Sequence, residues 1–393
     1  MTKLPSRTTL VALPCTALAL MAGSVAQAND DIQLKGGGFG TLGAVRTNLD
    51  GTQYRNSFTQ WSGADRDVDL GVDSRLGLQG SVIYKSDFAL TAQLLGIRRE
   101  DDDFDIDVEW LYAQYTGVPG LDLKAGRVAL PAFLVSDSRY VGYATPWLRV
   151  PPLVYSLLPY STLDGVQAGY RHAIGPVIAS VQATHGRSKA KLGVVGEFPP
   201  DSGSGLYAES HIDTNSPKVN SLNLMLEWGD WTARIGQVKS DVEMTLNVPA
   251  PPPILGIPPV LGIALQPFKD TFTGYGIQYD NGKALVIAEY VKRKTAPSLF
   301  DSAAWYAGAG YHFGEFMPYV VLSRYTPKDP VLSLPPSKGR ALGVRYDFAK
   351  NLDLKAEFAR YDTNGTLIFT DAATPAIRDK KVNVVSIALD FVF

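Results

Sequence analysis

The chain has 393 residues, 37 of them basic and 39 acidic, with both signs dispersed and a net charge of −2 at pH 7. So mild a balance gives no electrostatic footing for a polyanion, which excludes nucleic acid as the expected partner. A single cysteine, Cys15, excludes an internal disulfide framework.

At the amino-terminal side, Lys3 and Arg7 precede an apolar run from Leu10 to Ala22, and Ala26-Gln27-Ala28 follows as a small-x-small cleavage site. This is the layout of a secretory signal peptide, and its apolar run is too short for a transmembrane helix. Residues 1–28 are therefore expected to be removed, leaving 29–393 as one exported domain with 35 basic and 39 acidic residues, a net of −4. Cys15 goes with the leader, and Pro14 before it does not suit lipid attachment.

The first strand after the leader contains Gly38-Phe39-Gly40-Thr41-Leu42-Gly43, a dinucleotide fingerprint by letters alone. That fingerprint needs a strand before it and a helix opening at it, so these glycines are read as close backbone approach. Alternation then gives roughly sixteen strand candidates, about 23 residues apiece with their connections. Seven connections are short: Lys85–Asp87, Gly117–Gly120, Ala173–Gly175, Gly229-Asp230, Asn281-Gly282, Gly314-Glu315 and Ala349–Asn351. Eight long ones alternate with them: Arg46–Val68, Arg99–Asp107, Pro131–Leu163, Ser188–Pro217, Val242–Lys269, Thr295–Asp301, Thr326–Lys338 and Thr363–Asp379.

Glu100 to Glu109 is an acidic cluster lacking the glycine of a calcium loop, and is read as a solvated outer loop. His172, His185, His211 and His312 are scattered, and no nucleophile stands beside a base, so neither a metal site nor an enzyme is expected. Val248–Gln266 is apolar but holds six prolines, so it is a latching loop or a cap rather than a helix.

Late strands separate cleanly. Leu342, Val344, Tyr346 and Phe348 oppose Gly343, Arg345 and Asp347, while Leu352, Leu354, Ala356 and Phe358 oppose Asp353, Lys355 and Glu357. Two candidates, Val108–Thr116 and Ala284–Lys294, do not separate into faces. In the last strand Val385, Ile387, Leu389, Phe391 and Phe393 share one face against Ser386, Ala388 and Asp390. The expected fold is all-β: a transmembrane, antiparallel up-and-down barrel of about 16 strands, since only a closed sheet satisfies strand backbones in lipid.

Three segments carry a family resemblance. A last strand ending in Phe393 is similar to the closing strand of Gram-negative outer-membrane barrels, where that residue is part of the assembly signal. Asp73-Ser74-Arg75-Leu76-Gly77-Leu78-Gln79-Gly80 resembles the second strand of the general porins. Leu123-Lys124-Ala125-Gly126-Arg127, with its long connection to Leu163-Asp164-Gly165, resembles their fifth strand and third loop. The resemblance implies an outer-membrane homotrimer in contact with lipid, without cofactor, passing ions and small hydrophilic solutes through a water-filled channel. It also implies a third loop folded into the lumen opposite a wall of arginines. Arg75 and Arg127 match two of these, and Arg171 is the candidate for the third.

This loop is unusual in holding Asp137 alone against Arg139 and Arg149, with the aromatics Phe133, Tyr140, Tyr143 and Trp147. Strict parity from Leu123 and Ala125 points Arg127 outward, and a bulge near Gly126 would turn it in. The alternatives are a substrate-specific channel, with the aromatic loop as a platform for a sugar or aromatic acid, and an enzyme on a barrel scaffold.

Overall fold

The computed structural model describes residues 31–49, 53–99, 104–194, 210–249, 260–328, 336–363, 368–369 and 380–393; the expected leader lies outside them. Its strands are β1 (Ile32–Thr47), β2 (Arg75–Tyr84), β3 (Phe88–Arg98), β4 (Phe104–Tyr115), β5 (Leu121–Ala129), β6 (Thr162–Ile174), β7 (Val177–Val194), β8 (Ser210–Trp228) and β9 (Trp231–Pro249). They continue as β10 (Val260–Ala264), β11 (Phe268–Asp280), β12 (Ala284–Ala296), β13 (Ser302–Tyr311), β14 (Phe316–Pro327), β15 (Ser337–Ala349), β16 (Leu352–Thr363) and β17 (Lys380–Val392). Each pairs antiparallel with its neighbour, β9 also pairs past the short β10 with β11, and β17 returns to β1. Sixteen strands thus close a ring, and β10 is an extra strand on the end of β9, with Ala264 opposite Thr245.

Burial is inverted relative to a water-soluble protein. Leu342 is 65% and Ile387 51% exposed, whereas Lys355 and Asp390 on the opposite face are 0% exposed. Apolar side chains turned outward and charges turned inward are what a lipid-facing barrel requires. The seven short turns each contain a residue with positive φ, among them Lys85, Ser86 and Asn351 without glycine's freedom. Such residues match the twist of tight hairpins. Aromatic pairs cluster beside these turns: Trp231 lies 4.8 Å from Tyr279, Phe316 4.3 Å from Tyr346 and Phe88 4.9 Å from Tyr115. They form a belt suited to a membrane–water interface.

The two strands without clean faces have separate physical causes. In β4 the register with β3 shifts so that Glu109 is an extra residue, and the alternation changes phase there. In β12 both faces are apolar because Leu285, Ile287 and Val291 of the inner face join a buried cluster with Phe133 and Tyr155. Two expected long connections are shorter than the sequence suggests. β7 and β8 keep pairing from Ser188–Ser216 to Val194–Ser210, well beyond the 9–11 residues that cross a bilayer. Part of the proline-rich connection becomes β10, which latches onto the rim, and residues 250–259 lie outside the description.

Candidate functional site

The segment between β5 and β6, residues 130–161, holds one 3-10 turn (Gly142–Ala144) and one four-residue helix, α1 (Pro152–Tyr155). Inner-face side chains of strands far away in sequence satisfy its backbone. The Leu134 amide donates to Glu289 Oε2 at 2.7 Å, and the Leu148 amide donates to the Tyr319 hydroxyl at 3.0 Å. Lys355 Nζ donates to the carbonyls of Gly142 and Thr145, both at 2.7 Å, and Arg345 donates to that of Tyr143 at 2.9 Å. Arg234 holds the carbonyl of Pro131. A segment with little secondary structure of its own thus finds partners for buried peptide groups that would otherwise be costly.

Its side chains dock the same way. Phe133 stacks on Tyr155 at 4.2 Å and meets Phe272 edge-on at 5.3 Å. The Tyr155 hydroxyl donates to Glu289 at 2.6 Å; burial, and then the Glu289 charge, push its pKa well above the ordinary phenol value, so it remains a donor. Trp147 packs against Gly308, where a Cβ would enter its ring, and lies 5.4 Å from Tyr319.

Arg149 ties this segment to a second one, residues 48–74. Its guanidinium donates to Asp73 at 2.8 Å, to the Tyr54 hydroxyl at 2.7 Å and to Ser386 at 2.5 Å. Burial opposes its charge, but Asp73, Tyr54, Glu357 and Tyr361 together outweigh that and hold its pKa well above normal. Tyr54 in turn stacks on Tyr361 at 5.7 Å. Arg55 crosses to the carbonyl of Gly193 at the end of β7, 2.9 Å away, and burial lowers its pKa to about 10.

On the side of the ring bounded by β3 to β7 a polar cavity of about 440 Å³ remains open. Its walls carry six cationic side chains (Arg99, Arg127, Arg139, Arg187, Lys189 and Lys191) against Asp107, Glu109 and Asp164. It adjoins a narrow neck of about 40 Å³, reached by Arg75, Arg99, Arg139 and Arg149.

A family model described as Gram-negative porin matches residues 15–366. The chain belongs to the Gram-negative porin family. As a porin it is an outer-membrane channel. Three solved structures share the fold. OmpT of Vibrio cholerae in its trimer form is 15% identical, with 93% of this chain and 100% of that one covered and a TM-score of 0.55. An anion-selective porin from Comamonas acidovorans is 13% identical, with 92% and 100% covered and a TM-score of 0.56. The outer-membrane channel DcaP of Acinetobacter baumannii is 12% identical, with 95% and 100% covered and a TM-score of 0.57. No curated protein matches the sequence.

In this porin the residues singled out from sequence divide into three groups. Arg75 lies buried on the inner face at the start of β2, and Arg139 and Arg149 meet it at the neck. Arg127 lines the larger cavity, paired with Asp164 through contacts of 2.7 and 3.2 Å. No extra residue enters the register beside it; instead Gly126 adopts φ +132°, a distortion open to glycine alone. Asp137 is an exposed residue of segment 130–161.

Arg171 is a correction: it sits near the short turn between β6 and β7, is 59% exposed, and pairs with Glu227 at 2.6 Å, away from segment 130–161. Of the aromatics, Tyr140 lines both cavities, and Tyr143 lies 5.0 Å beneath the Arg345 guanidinium. Phe133 and Trp147 are buried anchors against the wall. Phe393 exchanges backbone hydrogen bonds of 2.9 and 3.0 Å with Gly38, and its ring covers the face where a Gly38 Cβ would stand.

Sequence reading missed Arg99, Glu289, Arg345, Lys355 and Asp390. Arg345, Lys355 and Asp390 are charges on the inner parity of well-alternating strands, so the signal was their phase, whereas Glu289 lies on β12, where two apolar faces hide it. Arg99 follows β3 directly, near the level of Arg75, which pairs with Ile97. Arg99 engages Asp107 at 2.8 Å and Glu109 at 3.6 Å, which draws part of the acidic cluster toward the cavity. Residues 100–103 of that cluster lie outside the description.

Proposed function

We propose that this porin is exported by a leader cleaved after Ala28 and works as a homotrimer, without catalysis. In this reading it passes ions and small hydrophilic solutes passively through a water-filled lumen narrowed by residues 130–161. The observation that carries the proposal is the set of inner-face anchors from β9 to β17. They gather the segment on one side and leave a polar cavity on the other. A permeating ion keeps most of its hydration in such a space, and fixed charge sets its preference. Six cations against three carboxylates in the cavity wall favour anions weakly, despite the negative balance of the whole chain. The trimeric form recorded for one protein of the same fold supports the assembly.

Reconstitution in a planar bilayer under a KCl gradient is the test. Stepwise, ohmic openings with a reversal potential on the anion side are expected. Absence of conductance overturns the channel, and strong cation preference overturns the assignment of its charges. Burial of Phe133 and Trp147 against the wall disfavours an aromatic binding platform made by all four loop aromatics.

A further inference from the structure

Residues 53–64, within the connection from β1 to β2, turn back on themselves. Tyr54 and Ala64 exchange amide–carbonyl bonds of 2.7 and 2.8 Å, and Gly63 sits where a Cβ would strike the Tyr54 carbonyl. One side of this turn lies against the end of β16 and the connection after it. Tyr54 stacks on Tyr361, and the Arg55 amide donates to the Ile368 carbonyl at 2.8 Å. The other side reaches the raised ends of β7 and β8. There the Gly193 amide donates to the Phe58 carbonyl and the Arg55 guanidinium to the Gly193 carbonyl, both at 2.9 Å, while Trp61 stacks on His211 at 5.9 Å. Gly193 and His211 are partners in the ladder, and a Cβ on Gly193 would enter the Trp61 ring. β16 and β7 stand half a ring apart, eight steps either way once β10 is set aside. The turn therefore crosses the mouth from wall to wall.

We propose that this turn is a strut that sets the channel's size limit for uncharged solutes, with Trp61 as its positioning residue. The inference rests on the channel reading and assigns the limit to a second segment besides residues 130–161. Ser57 and Thr59 of the strut line the polar cavity, and with Asn56 and Gln60 they also line the neck. Displacing the strut therefore widens both spaces at once. Its two ends are unequally held. Near β16, Tyr54 is fully buried and receives the Arg149 guanidinium. At β7 the hold is two hydrogen bonds to Gly193 and one indole ring, and Trp61 Nε1 is buried without an acceptor. That unmet donor opposes docking, so the area and stacking of the ring must outweigh it. Removing the ring releases the β7 end and leaves the other in place.

The test is swelling of liposomes that carry the full-length barrel, in arabinose and in raffinose, two uncharged sugars of different size, beside single-channel conductance in KCl. Trp61→Ala and Gly193→Val should each raise the conductance, and raise the raffinose-to-arabinose rate ratio by about twofold or more, because pore diameter governs the passage of neutral solutes. Trp61→Phe keeps a ring against Gly193 and should stay near the parent. Trp61 lies in a connection and Gly193 is next to last in β7, past the length that crosses a bilayer, so heat-modifiable migration should not change. Should Gly193→Val fold poorly, Trp61→Ala decides alone. Parent values of both readouts in Trp61→Ala overturn the strut, and so does a Trp61→Phe barrel as open as Trp61→Ala. Loss of all conductance in the unsubstituted protein would instead refute the channel reading.

Discussion

Replacing Arg149 with Met tests the junction of the two connecting segments, residues 130–161 and 48–74. The substitution keeps a long side chain but removes the cation that is bonded to Asp73 among the described residues, and the Asp73 side chain is 1% exposed. Asp73 would retain the Asn56 amide as its one strong donor, and Tyr54 and Ser386 would lose an inner partner. Removing one member of such a buried pair costs about 3–5 kcal/mol. That is a factor on the order of 10²–10³ or more in the equilibrium holding the segment in place. Lys355, Glu289 and Tyr319 still anchor residues 134–148, so the barrel itself should remain folded. The expected phenotype is a noisier current and faster proteolysis within residues 130–161, with heat-modifiable migration unchanged. Adding Asp73→Asn removes the stranded charge and should recover most of the loss. A single variant as quiet and as protease-resistant as the parent, or a double variant no better than the single, would refute the reasoning.

Gly38→Val should cut the yield of folded barrel sharply, because its side chain must occupy the space of the Phe393 ring; deleting Phe393 should do likewise, both read by heat-modifiable migration. Arg127→Ala leaves Asp164 unpaired on the cavity wall, so with Arg75→Ala the reversal potential should move toward cations. Equal reversal potentials would show that neither residue meets the ion path. Amino-terminal sequencing of outer-membrane material should return Asn29, and Met1 there would contradict the leader.

Much of the barrel was legible because lipid on one side and water on the other impose a period of two. The strands β15 to β17 follow from that rule, and the seven short turns follow from the turn residues between strands. It weakens where the inner face is not wet: Leu285, Ile287 and Val291 look like lipid-facing residues because they pack in the cluster that includes Phe133. It also fails where Glu109 inserts one residue and reverses the phase. The candidate site was only half legible. Arg75 and Arg149 could be named from motif and composition, but the partners of the loop lie far away in sequence, 134 residues for Tyr155–Glu289 and 213 for Lys355–Gly142. No local pattern encodes such a pairing. Arg171 misled because its inner parity is correct while its height along the barrel is not.

Closure of the ring carries a kinetic consequence. Phe39 pairs with Val392, and the whole β1–β17 ladder joins residues about 350 positions apart, while every other seam joins strands close in sequence. Loop-closure entropy grows by roughly 0.6 kcal/mol per doubling of length, so this seam costs about 3 kcal/mol more than a ten-residue hairpin. It should therefore form last, and until it does β1 and β17 are unpaired edges open to any foreign strand. The bare backbones of Gly38 and Gly40, which receive the rings of Phe393 and Phe391, make that final pairing hard to counterfeit. An intruding strand without aromatic rings at that spacing would leave a gap over the glycines, so the seam discriminates in favour of the chain's own last strand.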